Sequence, residues 1–266
     1  MSLIYNATFD SQTRVLSLLD KAGNVISSRE VPSKEVDDIT KPLTFKATQN
    51  GSTVKLTRVD APYGTFQTSR DGGKTWTNYP IGTTITLNTG DEVSFRAKSD
   101  RTSPQSDRNY FYFEMTGKIE AWHNVMSLYR TSDFATYNTV LKHAFINLFK
   151  DCTSLVKAPA LPATSLYEDC YSNMFDGCQS LTKAPELPAT TLARFCYWEM
   201  FRGCQSLKEV RISATTTAER VLEEWLSGVS ATGDFYCDPN ATIFPTDSAS
   251  GIPANWTRHN IADYPN

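Results

Sequence analysis

Short alternating runs of apolar and polar residues fill the chain from 43 to 116. Thr44-Phe45-Lys46-Ala47, Val54-Lys55-Leu56-Thr57-Arg58, Thr65-Phe66-Gln67-Thr68, Thr84-Ile85-Thr86-Leu87 and Val93-Ser94-Phe95-Arg96-Ala97 all follow a period of two. That period turns one side of a strand to a core and the other to water. Turn signals separate the runs at Gln49-Asn50-Gly51, Asp71-Gly72-Gly73 and Asn88-Thr89-Gly90-Asp91. Tyr110-Phe111-Tyr112-Phe113-Glu114-Met115 predicts one more strand. Short strands at this spacing predict a small β-sandwich over residues 43–120. The polar stretch Asp100 to Arg108 reads as a loop.

The same alternation marks Leu3 to Phe9 and Arg14 to Leu19, joined at Asp10-Ser11-Gln12-Thr13. Lys21-Ala22-Gly23-Asn24 is the next turn, leading to Val25-Ile26-Ser27-Ser28. Three strands in a meander are marginal alone. The meander therefore docks on the sandwich, a sister chain or a larger particle, or is an extra layer of the sandwich. Ser33 to Lys41, closed by Pro42, reads as a linker, so residues 1–42 are an anchor plus linker.

Beyond residue 120 the period changes. Met174-Phe175-Asp176-Gly177-Cys178-Gln179-Ser180-Leu181 returns 26 residues later as Met200-Phe201-Arg202-Gly203-Cys204-Gln205-Ser206-Leu207. Phe149, Phe175 and Phe201 share that interval, as do Cys152, Cys178 and Cys204, and Leu155, Leu181 and Leu207. Cys170-Tyr171 matches Cys196-Tyr197, and Ala158-Pro159-Ala160-Leu161-Pro162-Ala163-Thr164 matches Ala184-Pro185-Glu186-Leu187-Pro188-Ala189-Thr190. A leucine-bearing period of 20–29 residues predicts a solenoid whose units bury their apolar sides only by stacking. Equal positions then form ladders, ring on ring and thiol on thiol. The spacing of the cysteines is not that of a zinc site. They read as buried apolar filler, with Cys237 outside the ladder. After Thr215-Thr216-Thr217, the segment Ala218 to Leu226 predicts a capped helix ended by Gly228, with Val221, Leu222, Trp225 and Leu226 on one face.

The strings F-x-G-C-x-S-L, L-P-A-T-T-L and C-Y-x-x-M-F closely resemble the BspA-type leucine-rich repeats of gut bacteria and the phages that infect them, over about residues 144–212. Val125-Met126-Ser127-Leu128-Tyr129 with Asp133-Phe134 resembles the lead-in to those repeats. Glu224-Trp225-Leu226-Ser227-Gly228-Val229 and Gly251-Ile252-Pro253-Ala254-Asn255-Trp256-Thr257 resemble their terminal cap. The resemblance implies repeats over 121–212, a cap over 213–266, and a role in binding or display without enzymatic chemistry. The expected fold is mostly β, in the α+β class: meander, β-sandwich, then a short leucine-rich-repeat solenoid with a C-terminal cap.

Charge and composition narrow the partners. The net charge of −3 offers no basic field for nucleic acid, and no apolar run reaches the ~20 residues of a membrane helix. The opening residues MSLIYNATFD contain no basic region followed by an apolar run, so no leader is expected. The sequons at Asn6, Asn50, Asn240 and Asn255 are then read as chance. Ser69-x-Asp71-x-Gly73-x-Thr75-Trp76 matches the Asp-box of sialidase-type propellers, but a single box reads as a tight hairpin, with Trp76 pinning it to the core. No nucleophile elbow, phosphate loop or H-E-x-x-H is present, no cofactor is expected, and Glu114, Glu120, Glu168 and Glu186 read as surface acids.

The favoured reading is a non-enzymatic phage virion protein, a head or tail fibre or decoration subunit. The expected assembly is a homotrimer that joins other virion proteins through its N-terminal region and meets a host surface protein or glycan through its repeats. The alternatives are a bacterial cell-surface adhesin and a sialidase-like carbohydrate-active protein. Binding candidates are Lys157, Lys183, Glu186, Glu209 and Arg211 on the strand side. On the returning arm they are Tyr197 and Trp198, with Tyr167 and Arg194 beside them.

Overall fold

The computed structural model describes residues 6–10, 15–30, 37–58, 65–101, 110–246 and 250–264. Most of the expected loop at 100–108, the first half of the expected linker and Leu3-Ile4-Tyr5 lie outside them. The chain forms two compact units, Met1–Val36 and Asp37–Asn266. In the first, β1 (Asn6–Asp10), β2 (Val15–Leu19) and β3 (Val25–Glu30) pair antiparallel in chain order. Val25 and Ile26 there are 59% and 41% exposed.

The second unit is nearly all β. It begins with β4 (Thr44–Ala47), β5 (Ser52–Arg58), β6 (Phe66–Ser69), β7 (Thr77–Tyr79), β8 (Thr84–Leu87), β9 (Glu92–Ala97), β10 (Phe111–Thr116) and β11 (Ile119–Trp122). Next come β12 (Thr139–Val140) and β13 (Leu155–Lys157). One sheet has the order β10-β5-β8, the other β13-β11-β4-β9-β6-β7. The period-two residues Val54, Leu56, Val93 and Phe95 are fully buried. Phe45 of one sheet meets Phe113 of the other edge to face, with centroids 4.7 Å apart, a geometry that rings prefer.

The Asp71 hairpin between β6 and β7 is held locally. The Asp71 carboxylate accepts the hydroxyls of Thr75 and Ser69 and the N–H groups of Lys74 and Thr75. These bonds, the Thr75 hydroxyl foremost, hold its carboxyl well below the usual carboxylate range. Trp76 is not pinned to the core as expected. It stays half-buried, with the Arg96 guanidinium 4.2 Å from its ring centroid and Nε1 donating to the Gly73 carbonyl at 2.9 Å.

From β11 onward the chain winds into a β-solenoid of about five turns. Its parallel contacts join β11 to β13 and β12 to β14 (Ser165–Leu166). Later, β15 (Thr191–Leu192) pairs with β17 (Thr216–Thr217), and β16 (Glu209–Arg211) with β18 (Gly233–Cys237) and β19 (Trp256–Asn260). The outer arm of each turn is a run of tight turns, at 142–151, 168–177, 194–203 and 219–228. Alternate N–H groups in a run have different partners. Those of Phe145, Asn147, Phe149 and Asp151 reach the carbonyls of Cys170, Ser172, Met174 and Asp176 in the next turn, while those of Ile146, Leu148 and Lys150 bond three residues back. Every fourth residue has a positive φ: His143, Asn147 and Asp151, then Asp169, Asn173 and Gly177, then Phe195, Glu199 and Gly203, then Arg220, Glu224 and Gly228.

This pattern replaces the helix expected over Ala218–Leu226. Arg220 and Glu224 have φ of 56° and 55°, incompatible with a right-handed helix. The Trp225 carbonyl accepts from Phe201 of the preceding turn. Cross-turn bonding overrides a local helix preference. The Gly column shows the tightness of the stack: a Cβ on Gly177 would lie 2.5 Å from Asp151 Oδ1, at a φ of 76° that disfavours any side chain.

The ladders lie inside this frame. Phe113–Phe149, Phe149–Phe175 and Phe175–Phe201 stack with centroids 5.5, 5.4 and 5.4 Å apart. The first ring belongs to β10, so the sheets and the solenoid share one core. A second column runs Phe145, Tyr171, Tyr197 and Trp225 at 5.8, 6.2 and 6.4 Å. Trp225 is fully buried, also meets Phe201 and Phe244, and donates Nε1 to the Gly251 carbonyl at 2.9 Å. Both columns converge on it, and Phe244 continues the stack beyond. The Cys152, Cys178 and Cys204 thiols donate to the carbonyls of Phe113, Phe149 and Phe175 at 3.0, 3.1 and 3.0 Å. All six cysteines are free and buried.

Two outcomes follow. Phe175→Ala opens a cavity between two stacked rings and should lower unfolding stability by about 3–5 kcal/mol in urea titrations. Burial pushes up the thiols of Cys152, Cys170, Cys178, Cys204 and Cys237, and the thiolate is the reactive form. The native chain should therefore show no thiol reacting rapidly with an aromatic disulfide reagent at pH 8, and all six of its cysteines should react once it is unfolded.

Candidate binding surfaces

The strand side brings Lys157, Lys183, Glu186, Glu209 and Arg211 onto one surface, because β16 buries Val210 and turns Glu209 and Arg211 outward. Each is already engaged. Lys157 Nζ lies 2.8 Å from Asp37 Oδ2 and 3.7 Å from the Trp122 ring centroid. Lys183 meets Glu209 at 2.7 Å, and Arg211 meets Glu186 at 3.3 Å.

The chain's own C-terminal segment adds a cover. Asn260 caps a single 3-10 turn, Ile261–Asp263, by accepting the Ala262 N–H. The turn delivers Tyr264 onto the strand side. Its hydroxyl donates to Glu209 Oε1 at 2.6 Å. Its ring lies 4.8 Å from Lys183 Nζ, 4.7 Å from the Arg211 guanidinium carbon and edge-on to Tyr236 at 4.9 Å. Burial opposes the charge on Glu209, but the bonds from Lys183 and Tyr264 outweigh it and hold the carboxyl below its ordinary value. Burial, then the Glu209 bond, pushes the Tyr264 phenol up.

The returning arm differs from expectation. Tyr197 is 1% exposed and stacked between Tyr171 and Trp225, so it is core and not surface. It repeats Tyr171, and a repeated ring belongs to the ladder. Its neighbour Trp198 is half-buried and meets Phe195 edge-on at 6.4 Å. The Arg194 and Arg220 guanidinium carbons lie 4.3 and 5.2 Å from the Phe195 centroid. Arg194 pairs with Glu168 at 3.6 Å, and Arg220 with Glu223 at 2.7 Å. Tyr167, on the same arm, is 53% exposed. Phe195, Arg220 and Tyr264 were not among the candidates. Phe195 left a trace in the repeat, since the turns before it carry His143 and Asp169 at its place.

Outward positions alternate in charge where inward ones repeat. Glu168 accepts from Lys142 at 2.7 Å and lies 3.6 Å from Arg194. Asp176 meets both Lys150 and Arg202 at 2.8 Å. Among the described residues no group of three or more His, Cys, Asp and Glu is placed to hold a metal ion, and no helix is long and apolar enough to cross a membrane. No family model, curated protein or solved structure matches the chain.

The Tyr264 bond needs a charged Glu209 and a protonated phenol. A lowered carboxyl contributes above its unfolded value and is lost as pH falls through the folded one. A raised phenol contributes below its unfolded value and is lost as pH rises through the folded one. Amide protection over 261–264, taken relative to the intrinsic exchange rate at each pH, should be greatest between those limits, and Glu209→Ala should lower it roughly tenfold at neutral pH, equivalent to about 1.4 kcal/mol.

Proposed function

We propose that this chain is a non-enzymatic phage virion protein, a head or tail fibre or decoration subunit, that presents a leucine-rich-repeat rod to a host surface protein or glycan. In this reading the repeats are of the BspA type. The two sheets of residues 43–120 form a β-sandwich spacer, and the N-terminal meander attaches the chain to other virion proteins, as a homotrimer in a fibre. The observation that carries the reading is the division between inward and outward columns. Phe149, Phe175 and Phe201 repeat and are fully buried, whereas the outward positions beside them differ from turn to turn. A frame constant inside and variable outside suits display.

The biotinylated chain should be retained on cells of a susceptible gut bacterium and released when the surface is stripped with periodate or protease. Its gene should lie among capsid, portal and tail genes. Polysaccharide-uptake neighbours and a leader-bearing upstream frame would instead identify a cell-surface adhesin. Turnover of any glycoside by the purified chain would overturn the non-enzymatic reading.

A further inference from the structure

We propose that the Trp198 patch on the returning arm is a carbohydrate subsite that stacks one face of a pyranose ring. This rests on the binding reading above and assigns it a place and a ligand class. Four of the five tryptophans have an indole N–H bonded within the protein: Trp76 to Gly73, Trp122 to Glu120, Trp225 to Gly251 and Trp256 to Ser230. Among the described residues Trp198 has no such partner, and it is half-buried at the surface. An aromatic plane with a free donor at its edge is what a sugar uses, the plane for its C–H face and the donor for a ring hydroxyl.

The repeat acts as an internal control. At the place of Trp198 the neighbouring turns carry Ile146, Ser172 and Glu223, so the stack does not require an aromatic there. At the place of Phe195 they carry His143, Asp169 and Arg220. Phe195 holds a φ of 56°, a region unfavourable for a bulky side chain and better suited to Asp or Asn. Two aromatics therefore occupy positions where the frame asks for neither, one of them with backbone strain. The positive φ itself belongs to the frame and is shared by His143, Glu199, Arg220 and Glu224; the placing of a large ring there is what the frame leaves unexplained.

The surroundings select the ligand class. Arg194 pairs with Glu168 and Arg220 with Glu223, so the patch is balanced in charge and does not suit a polyanion. Both arginine side chains are more than half exposed, at 54% and 56%. Planar guanidinium and carboxylate groups side by side can donate to and accept from a pair of hydroxyls. A protein partner would bury about 800 Å² here and strip water from both ion pairs at a high desolvation cost. A pyranose covers the indole and leaves the outer sides of the pairs hydrated.

The test uses the whole chain labelled with 5-fluorotryptophan and titrated with a panel of neutral oligosaccharides, an acidic set serving as the charge control. One neutral member should shift the Trp198 fluorine resonance saturably and leave the other four in place. The double variant Phe195→Asp, Trp198→Ser carries at both places what the preceding turn carries. It should keep or raise the Tm and weaken binding roughly tenfold or more, equivalent to about 1.4 kcal/mol, while Trp198→Phe retains part of it. The control variant Lys74→Ala, at an exposed lysine in the Asp71 hairpin and outside every candidate surface, should bind normally. Sugar binding unchanged in the double variant would overturn this site and leave the binding reading intact. Retention on host cells without a response to any oligosaccharide would overturn the carbohydrate assignment alone, and no binding to cells or sugars would overturn both. Unfolding of the double variant would show that the aromatics are structural.

Discussion

Alternate backbone N–H groups in the outer arm of each turn find their acceptors only in the next turn. Phe149 donates to Met174, Phe175 to Met200 and Phe201 to Trp225. An isolated turn would leave those groups unpaired and its apolar side in water, both unfavourable. The spacing within each outer arm is therefore held constant, because a residue added there would move the cross-turn donors out of line, while the interval between arms changes from 26 residues between Gly177 and Gly203 to 25 between Gly203 and Gly228. The same demand explains the positive φ at every fourth residue, which returns the chain to a geometry where the next N–H points across the stack. It also explains why Gly177, Gly203 and Gly228 stand in one column.

What could be read from the sequence is what the stack repeats. Phe149, Phe175 and Phe201, and Leu155, Leu181 and Leu207, announce buried columns by recurring, and all six are fully buried. The stack runs on through β18 and β19, where the letters no longer repeat, because hydrogen bonding needs only equal backbone paths. The segment 218–226 reads as a helix because its residues favour one in isolation; the preceding turn claims its carbonyls. Tyr197 reads as exposed if judged by its neighbours, and as core if judged by its counterpart Tyr171. Tyr264 gives no sign of its place, since the charged residues it covers, Lys183, Glu209 and Arg211, lie more than fifty positions earlier.

The outward columns follow another rule. Rings and methylenes gain from meeting their own kind, whereas like charges one above another repel. Lys142, Glu168 and Arg194 alternate for that reason, as do Lys150, Asp176 and Arg202. Charged residues on the strand side are likewise matched within the protein, which leaves little of that face open. The Phe195 and Trp198 pair stands apart because neither rule asks for it.

Phe113 lends its ring, its carbonyl and its N–H to the first turn of the solenoid, through Phe149, Cys152 and Leu148. It belongs to a strand that leaves the ribosome before any of them. The sheets can thus be complete while the later turns are still being synthesised, and each emerging turn meets a finished surface of matching shape. The geometry allows the turns to add in the order of their synthesis, so that none has to nucleate away from a surface of matching shape.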